Sequence, residues 1–83
     1  MQAVIVVSPV GEKLAVSQVV LDDGATVWAQ GAGGAVVPSK RTYPSLDEAV
    51  AQNDRATTTA YEVTFDDAEA AVAAVGQPPP ALA

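Results

Sequence analysis

Cysteine and histidine are both absent from this sequence. Without cysteine there is no disulfide to staple a small domain and no thiolate to hold a structural zinc. Without histidine the commonest acid–base catalyst and metal ligand is missing. Basic residues are few, with four Lys and Arg against ten Asp and Glu and a net charge of −6. Affinity for a phosphate backbone needs clustered bases, so nucleic acid is not an expected partner. No apolar run is long enough to span a bilayer, and MQAVIVVSPVGEK has no basic residue ahead of its short apolar stretch. Neither a membrane anchor nor a secretory signal is expected. The expected location is the cytoplasm, or a virion if the chain is phage-encoded.

Large apolar side chains are also scarce. The 83 residues hold one Trp, one Phe and two Tyr, while Ala and Val supply 17 and 14. A single domain of this size buries only about 60% of its unfolded surface. Small side chains add little area each, so the core must be thin. An Ala/Val-rich, Lys-poor composition is what a high-GC coding sequence gives, and it points towards a high-GC bacterial host or its phage.

The apolar pattern predicts an α+β fold. Ala3–Ser8 is a β-branched strand, and Pro9-Val10-Gly11-Glu12 suits a turn. Leu14–Asp22 and Ala25–Gln30 continue an antiparallel meander, and Ala35–Val37 is a short edge strand that Pro38 ends. Ser45 and Glu48 match a capping box, and a helix over about 46–53 follows. Thr57–Phe65 alternates, with Tyr61, Val63 and Phe65 on one face, as a half-buried strand does. Asp66 and Glu69 read as the cap of a second helix, which Gly76 closes. Residues 1–76 are thus one domain, an antiparallel meander of three or four strands plus a further strand, with both helices packed on one face. Residues 77–83 form a stiff Pro-rich tail. The strand after the first helix is open to either a parallel or an antiparallel return.

The hairpin around Asp23-Gly24 raises the functional question. With a two-residue turn, Val20 pairs with Val27 and Val19 with Trp28. One face then carries Leu14, Val16, Val20, Val27 and Ala29, and the two helices can cover it. The other carries Val19, Leu21 and Trp28, edged by Ser17, Thr26 and Gln30. A three-residue turn would slip this register by one. Burying a Trp and two branched aliphatics removes about 300–400 Å² of apolar surface, on the order of 8 kcal/mol before ordering costs. Two coverings are open. Either the glycine-rich loop over residues 32–44 or the Pro tail folds across this face, or a protein partner does.

Little else carries chemistry. The hydroxyls have no activating base, so no catalytic residue is assigned. Gly31-Ala32-Gly33-Gly34 ahead of Lys40-Arg41 has the ingredients of a phosphate cradle without its strand–loop–helix frame. The acid pairs Asp22-Asp23 and Asp66-Asp67 lack the alternating oxygens of a calcium loop. No cofactor and no metal is expected. The expectation is a non-enzymatic accessory subunit of a larger assembly, of the kind that decorates a phage capsid. Its expected interface is Val19, Leu21, Trp28, Thr26, Gln30, Lys40 and Arg41, against a protein partner or further copies of the chain. The alternative is a small soluble regulatory binder, such as a phage-encoded inhibitor of a host protein.

Overall fold

The computed structural model describes residues 1–29 and 35–80. Five strands form one sheet: β1 (Gln2–Val10), β2 (Lys13–Val20), β3 (Ala25–Ala29), β4 (Val36–Thr42) and β5 (Thr59–Thr64). Two short helices, α1 (Leu46–Asn53) and α2 (Ala68–Ala73), complete a small α+β domain. The strand order is β4-β3-β2-β1-β5, and every neighbouring pair is antiparallel.

The expected helix over 46–53 is present. Ser45 caps it, its Oγ accepting from the Glu48 amide at 3.1 Å. The reciprocal half of the capping box is replaced, because the Glu48 carboxylate accepts from Gln52 one turn on, at 2.9 Å. Asp67, not Asp66, caps α2, its Oδ1 accepting from the Ala70 amide at 2.8 Å. Either aspartate offers the same acceptor, so composition alone does not choose between them.

The helices lie on opposite faces of the sheet, not on one. Ala3, Ile5, Val7, Val16 and Val19 are buried with Ala71 and Val75 from the α2 segment. Val4, Val6 and Val20 are buried on the other side with Tyr43, Ala60 and Ala49 of α1. Adjacent strand residues point to opposite faces, so the five consecutive buried residues Ala3–Val7 require cover above and below. Each fully buried Val or Ile stabilises the fold by about 1.5–3 kcal/mol. A thin helix on each side makes better use of β1 than two on one side.

The hairpin register is also corrected. The Gly24 amide donates to the Leu21 carbonyl at 2.9 Å, and the Leu21 amide to the Ala25 carbonyl at 2.8 Å. This is the three-residue loop, with Gly24 at φ +89° in the bulge position. Val19 therefore faces Val27, Gln18 faces Trp28, and Val20 faces Thr26. A second shift lies between Val6 and Val7, where Ser17 is the extra residue of β2. The Ser17 hydroxyl donates to the Val6 carbonyl at 3.1 Å and sits 3.0 Å from the Ser8 hydroxyl. The bulge places Val16 on the same side as Val19 although the two are three residues apart.

Two prolines sit in strands rather than ending them. Pro9 lies in β1 beyond Val7, where β5 has stopped, so the turn moves to Gly11-Glu12. Pro38 lies within β4, opposite Val27, because β4 is an edge strand and an edge tolerates a missing donor. The segment after α2 folds back on the sheet. Val16 donates to the Gln77 carbonyl at 2.9 Å and accepts from the Gly76 amide at 2.8 Å. The Tyr61 hydroxyl then donates to the Pro80 carbonyl at 2.9 Å. Residues 77–80 thus cross the α2 face from β2 to β5.

Candidate binding surface

Cover on the α1 face is uneven. α1 lies against β1 and β5, and Tyr43 fills in beside it. The Asn53 amide holds the Tyr43 hydroxyl at 3.0 Å and the Ala49 carbonyl at 2.8 Å, fixing helix to core. Towards β3 and β4 the same face opens to solvent. Trp28 stands there, directly between Gln18 on β2 and Val37 on β4, with 41% of its surface exposed. A shallow open depression of about 200 Å³ is lined by Gln18, Trp28, Ser39 and Arg41.

The backbone of β4 shapes this depression. Its pairing with β3 is regular at Val36–Pro38, then slips before Thr42 meets Ala25. Inside the slip, the Arg41 amide donates to the Ser39 Oγ at 3.1 Å. Ser39 and Arg41, two residues apart on the strand, both lie on the Trp28 side. Two polar side chains, Gln18 and Arg41, flank an indole whose backbone is held between neighbouring strands.

The expected interface residues separate. Trp28 and Arg41 come together, whereas exposed Lys40, between Ser39 and Arg41 on β4, has the alternate orientation and is not part of the lining. Thr26 shares the Trp28 face but is 1% exposed, and its hydroxyl has no hydrogen-bond partner. Val19 is fully buried on the opposite, α2 face, and Leu21 packs there against it. Those two belong to the chain's own core. The correction follows from the three-residue loop, which turns Val19 towards Val27 and away from Trp28. Gln30 and the glycines at 31, 33 and 34 lie outside the described residues, as do residues 81–83. Gln18 and Ser39 were not foreseen. The signal for Gln18 was its position opposite Trp28 in the slipped register.

Several of the acids serve local structure. Asp23 Oδ1 accepts from the Ala25 amide at 2.9 Å in the hairpin loop. Asp67 caps α2, and Asp54 Oδ1 lies 3.4 Å from the Ala60 amide. Among the described residues, no group of three or more acids could hold a metal ion, and no helix is long and apolar enough to cross a membrane. Compared with protein-family models, curated proteins and solved structures, the chain matches none.

Proposed function

We propose that this protein is a non-catalytic binding subunit that attaches to a larger protein assembly through the face around Trp28. The observation that carries the reading is the part-exposed indole on the open end of the α1 face, set beside the polar groups of Gln18, Ser39 and Arg41. An exposed Trp set between strands is the residue type that anchors interfaces, because it offers a large rigid area at low entropic cost. The depression is too shallow to enclose a small molecule as ligand pockets do, which favours a protein surface. The Ala/Val-rich, Lys-poor composition extends the reading to a phage particle, in which such a subunit would stand in fixed stoichiometry.

The test is a photo-cross-linking residue at position 37, beside Trp28, in cells that make the chain. A stoichiometric adduct in a purified particle, lost in Trp28→Asp, is the expected result. An adduct only with a soluble host protein would identify a regulatory binder instead of a structural subunit. A chain that stays monomeric in native extract and gives no adduct removes the reading.

A further inference from the structure

Among the described residues lining the depression at Trp28, the one charged side chain is a cation, on a chain of net charge −6. Arg41 lines the depression together with the indole, while its strand neighbour Lys40 takes the alternate orientation and charges the β4 edge instead. Among the described residues, no carboxylate lines it. A net charge of −6 repels an acidic segment over most of the surface. Here the local sign reverses.

We infer that this site recognises an acidic segment of the protein partner, with a carboxylate on Arg41 and an apolar side chain on the Trp28 indole; the inference rests on the binding-subunit reading above. The donor set fits a carboxylate. Arg41 presents a planar fork of N–H groups, and Gln18 adds an amide. Ser39 Oγ already accepts from the Arg41 amide, which leaves its proton to donate outward. Recognition runs through the sheet face and not through strand addition at the β4 edge. Pro38 lacks a donor, the pairing slip bends the strand, and Lys40 charges it, and each of these blunts an edge.

Three blocked pentapeptides test this by amide NMR at low salt: Glu-Gly-Leu-Gly-Glu, its Gln analogue and its Lys analogue. The glycine spacing puts the acid and the leucine on one side of an extended segment. The Glu peptide should shift the Trp28 indole N–H and the amides of Gln18, Ser39 and Arg41. The Gln peptide should bind about fivefold more weakly, the weight of about 1 kcal/mol. Arg41→Glu should abolish the shifts while keeping its amide dispersion; Arg41→Gln serves if that variant does not fold. Equal binding of the Glu and Gln peptides, capture of the Lys peptide at Trp28, or no shift with the Glu peptide at millimolar concentration overturns the inference. Cross-linking at position 37 that survives Arg41→Glu would leave the binding subunit standing and remove the acidic segment alone.

Discussion

A Cβ placed on Gly24 would stand 2.2 Å from the carbonyl oxygen of Tyr43, and the Tyr43 amide donates to the Gly24 carbonyl at 3.1 Å. The loop that ends the β2–β3 hairpin is thus joined, backbone to backbone, to the chain entering α1. Tyr43 is buried beneath that helix. The contact ties the sheet's local turn to the cover of one whole face.

Gly24→Ala should therefore cost about 3 kcal/mol or more. Strain at φ +89° accounts for about 1–2 kcal/mol, and displacing the Tyr43 backbone adds the rest. Gly11→Ala is the control. Gly11 also has positive φ, +63°, but a Cβ there meets nothing within 4 Å. Its cost should stay near about 1 kcal/mol. Urea denaturation of both variants measures the difference; equal losses would show that Tyr43 yields freely.

Thr26→Val should raise stability by about 1 kcal/mol. The Thr26 hydroxyl is buried without a partner, so the replacement removes a desolvated polar atom and loses no bond. Valine also suits a strand position opposite Val20. Denaturant midpoints check it, and a loss of stability would place a partner at that hydroxyl.

The parts of this fold set by neighbours in sequence were readable from sequence. Ser45 and the apolar spacing of Leu46, Ala49 and Val50 located α1, and the alternation of Tyr61, Val63 and Phe65 located β5. What depends on a one-residue choice was not. The Asp22-Asp23-Gly24 segment closes a two- or three-residue loop with the same residues, and only long-range packing selects between them. That choice sent Val19 inward and left Trp28 outward. Likewise the apolar stripes of the helices say how much surface they cover, and not which face the crossover reaches. At the candidate site, Trp28 and Arg41 were visible by residue type, whereas Gln18 and Ser39 required the register.

Tyr61→Phe should cost about 1 kcal/mol and loosen residues 78–80. The phenol donates to the Pro80 carbonyl at 2.9 Å, and a typical hydrogen bond contributes about that much. Hydrogen exchange at the Val16 and Gly76 amides, the donors of the neighbouring bridge, should speed up in parallel. Protection unchanged at Val16 would show that the bridge holds without the Tyr61 contact.

Val19 and Trp28 should separate cleanly under mutation. Val19→Ala removes two buried methyl groups and should cost about 2–3 kcal/mol, since Val19 is fully enclosed. Trp28→Ser trims an indole that is 41% exposed, so its cost should stay below the roughly 3–5 kcal/mol of a fully buried Trp, at about 1–2 kcal/mol. Binding should show the reverse order. Trp28→Asp should fold and lose the partner, because it puts a carboxylate beside Arg41 where the incoming acid would sit. Val19→Ala should bind in proportion to its folded fraction. Thermal melts and position-37 cross-linking on the same variants read both quantities. A Trp28→Asp chain that unfolds would move the indole from the binding surface into the chain's own core.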